Sequence, residues 1–215
     1  MICVSIVNLD FRRCSTALQD IELAEIRLDE LHFSSQQVKD IFSRPQKLIA
    51  TYRPGKIAEN ERKEFLLTAI ASGATYVDIE LETADSFKEP LIQAARRRNC
   101  KVIISYHNFE KTPSKSELIV IKNRCFDCGA DIAKIACLTL SEADSARILS
   151  LYDGPVGEQG KVIALGMGET GKITRIAAPL LGAPFTYAAL SPGKKTAPGQ
   201  LDSATLRKIF GLVTP

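Results

Sequence analysis

The sequence has few histidines, no long hydrophobic run and little excess of either charge. Two histidines in 215 residues are too few for the ligand cluster of a metal-dependent hydrolase. Lysine and arginine number 28 against 25 acidic residues, and a net charge of +3 is too small for a nucleic-acid footprint or a polybasic membrane patch. No segment is dominated by proline, glycine or one charge, which excludes fibrous and wholly disordered classes. A globular protein remains, and small anionic ligands are compatible with it.

The first apolar stretch, Met1 to Val7, is too short to cross a bilayer and has no basic segment before it. We expect a first strand there. Six cysteines are scattered without a secretory signal, so we expect buried thiols in a reducing cytoplasm rather than a disulfide framework. Cys125 and Cys128 form a CxxC pair, but they stand on a helical segment with no second pair or flanking histidine, which argues against a metal site.

Short β-rich runs and stretches with helical spacing alternate along the whole chain. The β-rich runs cover residues 2–7, 21–26, 47–52, 75–80, 101–106, 130–136, 161–165 and 184–190. Helical spacing marks residues 60–72, 87–99, 114–128, 140–151 and 170–181, and Gly73, Gly129 and Gly182 stand where helices should end. This alternation favours parallel pairing through right-handed crossovers. We therefore predict one compact (β/α)8 barrel over residues 1–215, with an open doubly wound sheet as the alternative.

Pairs of polar residues two apart stand at the ends of three predicted strands. These pairs are Glu25 with Arg27, Thr51 with Arg53, and Asp78 with Glu80. Residues two apart on a strand share a face, and the carboxyl ends of barrel strands face the ligand. We therefore predict a polar mouth lined by carboxylates and guanidiniums. The alternative for each pair is a surface salt bridge.

His107 and Lys134 are the candidates for proton transfer and nucleophilic catalysis. His107 follows the apolar fifth strand, a position that suits a proton carrier, although a structural histidine is the alternative. Lys134 shares its strand face with Ile132 and Ala136, and lysine is rarely buried among apolar residues without a purpose. Because burial disfavours the ammonium form, such an amine can attack a carbonyl and form a Schiff base. The alternative is an amine that extends from the mouth into solvent.

Two glycine-containing loops follow the last predicted strands. Gly166, Gly168 and Gly171 resemble a phosphate-binding loop, although three glycines at this spacing also occur by chance. Residues 191–200 have the composition of a mobile loop over the mouth, as surface loops in general do.

Seven motifs follow one another along the chain: Glu25-x-Arg27-x-Asp29, Thr51-x-Arg53, Asp78-Ile79-Glu80, Ser105-x-His107-x-Phe109 with Lys111-Thr112-Pro113, Ala130-Asp131-Ile132-x-Lys134-Ile135-Ala136, Met167-x-x-x-Gly171 with Arg175, and Thr196-Ala197-Pro198-Gly199-Gln200. Taken together and in this order, they resemble the type I 3-dehydroquinate dehydratases. The seven motifs span almost the whole chain, and each lies at the end of a predicted strand or in the loop after it.

The resemblance implies a cytoplasmic, homodimeric barrel that removes water from 3-dehydroquinate in the shikimate pathway, without a metal or organic cofactor. By this similarity Lys134 forms an imine with the substrate ketone, His107 is the general acid and base for a syn loss of water, and Glu80 orients the His107 ring. Arg175 binds the substrate carboxylate. The other substrate-binding residues implied are Ser5, Glu25, Arg27, Arg53, Met167, Thr196 and Gln200.

Two features depart from the family pattern. Thr196 stands where the family's lid usually carries serine, and its added methyl group stiffens χ1. The chain also begins at the first strand, so we expect the amino-terminal hairpin of longer relatives to be absent. The alternative enzyme is another class I, imine-forming aldolase-type barrel, which would use Lys134 but bind a phosphate at the glycine loop. A barrel that only binds or scaffolds is a third possibility, against which Lys134, His107 and Glu80 together argue.

Overall fold

Residues 1–55, 57–153, 161–194 and 196–213 are described by a computed structural model, and they form one eight-stranded parallel sheet. The strands are β1 (Ile2–Ile6), β2 (Leu23–Arg27), β3 (Lys47–Thr51), β4 (Tyr76–Glu80), β5 (Lys101–Asn108), β6 (Ile132–Leu138), β7 (Lys161–Met167) and β8 (Thr186–Ala189). Each predicted β-rich run contains or overlaps one of them. The sheet order, β7-β6-β5-β4-β3-β2-β1-β8, confirms the predicted (β/α)8 barrel over an open doubly wound sheet.

Helices connect successive strands and cover the outside of the sheet. They are α1 (Phe11–Ala17), α2 (Leu28–Leu31), α3 (Ser35–Phe42), α4 (Glu59–Ala71), α5 (Asp85–Arg97), α6 (Lys115–Asp127), α7 (Glu142–Leu149), α8 (Lys172–Leu180) and α9 (Ser203–Val213). Within the described ranges, every helix is too short or too polar to span a bilayer.

The helix ends follow from local chemistry. Capping boxes begin α3 at Ser34, α6 at Ser114 and α7 at Ser141, where each serine accepts a hydrogen bond from a backbone N–H of the first turn. Gly73 and Gly129 follow α4 and α6 with φ of +112° and +87°. These backbone conformations favour glycine and end the helices, as the sequence predicts.

Alternate strand residues divide the apolar core into two parts. Outward-facing residues pack against the helices, as Ala24 and Ile26 do on β2. Inward-facing residues at the amino ends of the strands fill the barrel interior as a second cluster. The strand members of that cluster at this end are Cys3, Leu23, Ile49, Ile103, Ile132 and Ile163.

On most strands, the next inward-facing residue after this apolar cluster, two positions toward the carboxyl end, is polar. These seven residues, which we call the polar layer, are Ser5, Glu25, Thr51, Asp78, Ser105, Lys134 and Tyr187. Each is buried and each is joined to another by a hydrogen bond, an ion pair or a ring contact. The apolar cluster therefore forms the base on which a polar site is built at the carboxyl ends of the strands.

The start of α8 packs backbone to backbone against β7. A Cβ atom on Gly171 would lie 2.5 Å from the carbonyl carbon of Gly166, so neither position has room for a side chain. Gly171 is the N-cap residue of α8, and Arg175 lies one turn later on the same helix. This close packing accounts for Gly166 and Gly171 without a bound phosphate, and it brings Arg175 to the barrel mouth.

Candidate active site

A cavity of about 720 Å³ opens at the carboxyl ends of the strands. It is lined by every site residue that the sequence predicts except Ser5. These residues are Glu25, Arg27, Arg53, Glu80, His107, Lys134, Met167, Arg175, Thr196 and Gln200. The polar mouth inferred from residues two apart on three strands is therefore present in the structure.

Lys134 lies at the base of this cavity and is only 5% exposed. Its Nζ atom lies 2.8 Å from Oδ2 of Asp78 and 3.6 Å from Oε1 of Glu25, and it stands 4.1 Å from the centroid of the Tyr187 ring. The amine is thus buried rather than extended into solvent. The expectation of apolar surroundings is corrected, because the groups that touch the amine come from β2, β4 and β8 across the barrel.

Hydroxyl groups from the odd-numbered strands hold the two carboxylates that face Lys134. Glu25 accepts hydrogen bonds from Ser5 Oγ at 2.8 Å and Thr51 Oγ1 at 3.0 Å. Asp78 accepts one from Ser105 Oγ at 2.6 Å. Ser5 is fully buried and is not among the residues that line the cavity, so its role in binding substrate stays a prediction. Its hydroxyl faces Glu25 because β1 and β2 pair in register at these two residues.

Both carboxylates remain ionised in the barrel interior. Burial alone would raise the pKa of Asp78, but Arg53 and Lys134 hold it well below its usual range. Burial likewise opposes ionisation of Glu25, and the positive charges of Lys134, Arg27 and Arg53 outweigh it and lower the pKa. The cations around the polar layer therefore determine its charge state.

Arg53 joins two carboxylates at the cavity wall. Its Nη1 atom donates to Oδ1 of Asp78 at 2.9 Å and to Oε1 of Glu80 at 2.5 Å. Burial opposes the charge of Arg53, but Asp78 and Glu80 outweigh that effect and raise its pKa well above the usual value. Arg62, a residue of α4, donates to the other oxygen of Glu80. Both oxygens of Glu80 are therefore held by guanidinium groups.

Among the described residues, no hydrogen bond joins Glu80 to His107, and the two oxygens of Glu80 accept from Arg53 and Arg62. Orientation of the His107 ring by Glu80 stays a prediction. The ring of His107 stacks on that of Phe109, with centroids 6.1 Å apart and an interplanar angle of 11°.

His107 is held in the neutral state. Burial lowers its pKa well below 6.5, and the positive charges of Arg53 and Lys134 lower it further, whereas Asp78 acts in the opposite direction. A neutral imidazole at physiological pH can accept a proton. The position of this ring on the cavity wall thus suits a general base.

Arg175 differs from the other arginines of the cavity because its charge has no partner in the described part of the chain. It is 2% exposed, its Nε atom has no hydrogen-bond partner there, and burial lowers its pKa to about 10. The group remains cationic near neutral pH. In contrast, Nε and Nη2 of Arg27 donate to the two oxygens of Asp29 at 3.0 and 2.7 Å. A buried, unpaired guanidinium facing a cavity is suited to binding a ligand carboxylate.

The loop after β8 covers the mouth. Gln200 is buried, and its Oε1 atom accepts hydrogen bonds from the backbone N–H of Thr196 at 2.7 Å and from its hydroxyl at 3.1 Å. The backbone N–H of Gly168 donates to the carbonyl oxygen of Pro198 at 3.1 Å, which ties the loop to the end of β7. Lys195, part of the loop predicted to be mobile, lies outside the described residues.

No cysteine is among the described residues that line the cavity. Cys125 is buried on α6, Cys128 follows the end of that helix, and all six thiols are free. In the ranges that the structure covers, no group of three or more histidine, cysteine or acidic residues is arranged to hold a metal ion.

Three residues of the site are given no individual function by the sequence. Asp78 belongs to a polar pair, but its contact with Lys134 crosses the barrel and cannot be predicted from the spacing of residues along one strand. Tyr187 is one aromatic residue in an apolar strand. Arg62 could have been found, since it occupies the buried face of α4 with Leu66 and Ile70, where arginine is unusual.

The fold and the cavity define a (β/α)8-barrel enzyme with a buried lysine and a neutral histidine at its catalytic face. Residues 2–214 match the family model for type I 3-dehydroquinase, and the chain belongs to this family. The 3-dehydroquinate dehydratase of Methanococcus maripaludis is 36% identical over 222 residues, which cover 99% of this chain and all of the relative. The enzyme of that name from Methanocaldococcus jannaschii is also 36% identical and covers 99% of both chains.

Solved structures agree with this assignment. Type I 3-dehydroquinate dehydratase from Clostridium difficile, in a structure with covalently modified comenic acid, superposes with a TM-score of 0.86 at 25% identity over 99% of this chain and 91% of that chain. The 3-dehydroquinate dehydratase of Aquifex aeolicus gives 0.81 at 27% identity over 100% and 99%. A 3-hexulose-6-phosphate synthase from Salmonella typhimurium, at 0.61 and 14% over 99% and 97%, shares the fold alone.

The low pKa of His107 predicts how stability depends on pH. The unfolded chain binds a proton at His107 near pH 6.5 and the folded chain does not, so this residue destabilises the fold as pH falls below about 6.5, by at most about 1.4 kcal/mol per pH unit. NMR titration should find the His107 ring neutral at pH 6.5, with His32→Gln used to assign the signals. The His107→Gln variant should lose this part of the pH dependence in urea unfolding. Protonation of His107 at or above pH 6.5 would contradict the prediction.

Proposed function

We propose that this chain dehydrates 3-dehydroquinate to 3-dehydroshikimate, in the shikimate pathway of aromatic amino acid biosynthesis, through an imine on Lys134. Dehydration of this substrate is the reaction of the family to which the chain belongs. The observation that carries the mechanism is the buried Lys134 amine at the base of the cavity, with carboxylate oxygens at 2.8 and 3.6 Å. We assign residues 1–215 to one catalytic domain.

The first step is attack of Lys134 on the substrate ketone. The attacking form is the neutral amine, so the ammonium ion first gives a proton to the neutral His107, which returns it when the addition product loses water. Loss of water from the addition product then gives a protonated imine, which takes the place of the ammonium ion beside Asp78 and Glu25. Because these carboxylates face a cation before and after the step, the site stabilises the imine without rearrangement of its charges.

The second step is removal of the proton on the carbon next to the imine by His107. The protonated imine accepts the electron pair and becomes an enamine. The enamine then expels the hydroxyl group on the next carbon, and the His107 imidazolium supplies the proton with which it leaves as water. Addition of water to the remaining imine releases the product and restores the Lys134 amine. One water is consumed for the one released in imine formation, so the net change is loss of one water.

The unpaired Arg175 supports the orientation of the substrate. We assign the substrate carboxylate to this guanidinium, and the ring hydroxyls to Glu25, Arg27 and Arg53. The remaining contacts come from Met167 on β7 and from Thr196 and Gln200 of the loop, which close the cavity over the ring. A class I aldolase would need a phosphate site instead, and the close packing of Gly166 against Gly171 accounts for these two glycines without one.

Borohydride reduction in the presence of 3-dehydroquinate tests the imine. Mass spectrometry should find a reduced adduct on Lys134 in the native chain, and neither adduct nor turnover in Lys134→Met. His107→Ala should retain the adduct and lose about 10²- to 10⁴-fold in kcat, because its imine still forms but lacks the base. Turnover is followed by the ultraviolet absorbance of the conjugated product. Undiminished activity of Lys134→Met would exclude the mechanism.

Substitution of Arg175 tests the carboxylate site. Arg175→Gln should raise KM by about 10- to 100-fold, because a hydrogen bond between charged groups contributes about 1.5–3 kcal/mol. Arg175→Lys should recover part of the loss, since lysine keeps the charge but not the two-pronged geometry. Lys172→Gln removes a cation from the first position of α8 that pairs with the exposed Glu169 just before the helix, and it should leave KM unchanged. An unchanged KM in Arg175→Gln would place the carboxylate elsewhere.

We further propose that the enzyme works as a homodimer in the cytoplasm and binds no nucleic acid. The family resemblance supports the dimer, and the six free thiols are compatible with a reducing compartment. Sedimentation of the purified chain as a single-chain species at micromolar concentration would exclude the dimer. Recovery of the native protein in an extracellular or membrane fraction would exclude the location.

A further inference from the structure

Arg62 is a charged residue on a helix face that otherwise packs into the core. It is 3% exposed and shares the buried face of α4 with Leu66, Ala69 and Ile70. Its Nε atom donates to the carbonyl oxygen of Tyr52 at 2.7 Å, just after the end of β3. Its guanidinium carbon lies 4.3 Å from the centroid of the Phe87 ring on α5. The side chain therefore crosses from the helix layer to the carboxyl ends of the strands.

Arg62 ends a row of alternating charges that leads to the reacting amine. Its Nη2 atom lies 2.5 Å from Oε2 of Glu80, whose Oε1 atom lies 2.5 Å from Nη1 of Arg53. The same nitrogen of Arg53 lies 2.9 Å from Asp78, and Asp78 lies 2.8 Å from Nζ of Lys134. Positive and negative side chains therefore alternate from Arg62 to Lys134. All four contacts between neighbours in this row are of hydrogen-bond length.

The position of Glu80 depends on both of its cations. With Arg62 present, the two oxygens of Glu80 are fixed, and Arg53 is shared between Glu80 and Asp78. Without Arg62, one oxygen of Glu80 would lose its charged partner in a partly buried site, and Glu80 could turn toward Arg53 or toward the cavity. Either change would alter the position of Arg53 and its contact with Asp78, the carboxylate that holds Lys134.

We propose that Arg62 is a positioning residue for this reaction, which acts on Arg53 and Lys134 through Glu80 and not by contact with the substrate. The proposal rests on the function proposed above. Arg62 borders the cavity, but Nε and Nη2 of its guanidinium already donate to Tyr52 and Glu80. Its role is to fix the charge row in one arrangement before the substrate arrives.

A double-mutant cycle between Arg62 and Glu80 separates this role from simple packing. Arg62→Gln and Glu80→Gln should each lower kcat/KM for 3-dehydroquinate by about 10- to 100-fold, the range seen when a supporting partner of a site residue is removed. The double variant should lose no more than Glu80→Gln alone, because Arg62 acts only through that carboxylate. Arg62→Lys should recover part of the activity, since it can still donate to Glu80.

Lys63→Gln is the matched control. The Lys63 amine lies 5.7 Å from the same Phe87 ring, and in the described residues it has no hydrogen bond to Glu80. This variant removes a neighbouring cation from the ring and should keep native kcat/KM. Thermal unfolding of all variants shows which of them are folded at the assay temperature. If Arg62→Gln does not fold, the cycle is measured with Arg62→Lys and Glu80→Asp, for which the same non-additivity is expected.

Two results would overturn the proposal. Multiplied losses in the double variant would mean that Arg62 acts independently of Glu80, by packing or by direct contact with the substrate. Native kcat/KM in folded Arg62→Gln would mean that Arg62 is not needed to position Glu80, Arg53 and Lys134. Failure of the proposed function has a different signature, because the native chain would then not turn over 3-dehydroquinate at all.

Discussion

The ion pair between Lys134 and Asp78 inside the barrel is the interaction on which the rest of the site depends. Taking either charge out of water is costly, and removal of one partner from such a pair typically destabilises a protein by about 3–5 kcal/mol. The barrel meets this cost with Glu25 as a second carboxylate and with hydroxyl groups from three odd-numbered strands. The polar layer is therefore needed to keep the Lys134 amine buried, apart from any part it takes in catalysis.

The same cations favour the deprotonated form of two neighbouring groups, which leaves one of them charged and the other neutral. Arg53 and Lys134 lower the pKa of Asp78 and thereby keep this carboxylate charged. They also lower the pKa of His107, and there the effect is to keep the imidazole uncharged. One cluster of positive charge thus supplies both an ionised partner for the amine and a neutral base. Acid–base catalysis at neutral pH needs such neighbouring groups, one charged and one neutral, and here a shared set of cations provides both.

The contacts along a strand could be predicted from the sequence, and those across the barrel could not. Lys134 is two residues from Ile132 and Ala136 on β6, so it shares their inward face. His107 is near the carboxyl end of β5, which predicts its position at the mouth of the barrel. The partners of Lys134 come from β2, β4 and β8, and which of their residues meet depends on barrel closure and strand tilt. Similarly, Glu80 ends β4 and His107 is near the end of the neighbouring β5, yet the oxygens of Glu80 accept from Arg53 and from Arg62 of a helix. Ser5 lies on the predicted strand, and its hydroxyl donates to Glu25 instead of facing the cavity.

The pairing of the arginines determines the direction in which a substrate can bind. Arg27, Arg53 and Arg62 already have carboxylate partners in Asp29, Asp78 and Glu80, so part of their charge is compensated before a ligand binds. Arg175 has no such partner in the described chain. A ligand carboxylate therefore gains most at α8, next to β7, and under the proposed mechanism the ligand ketone reaches Lys134 on β6. Because β6 and β7 are adjacent and parallel, these two requirements place a small ring across the top of both strands, with His107 of β5 beside it.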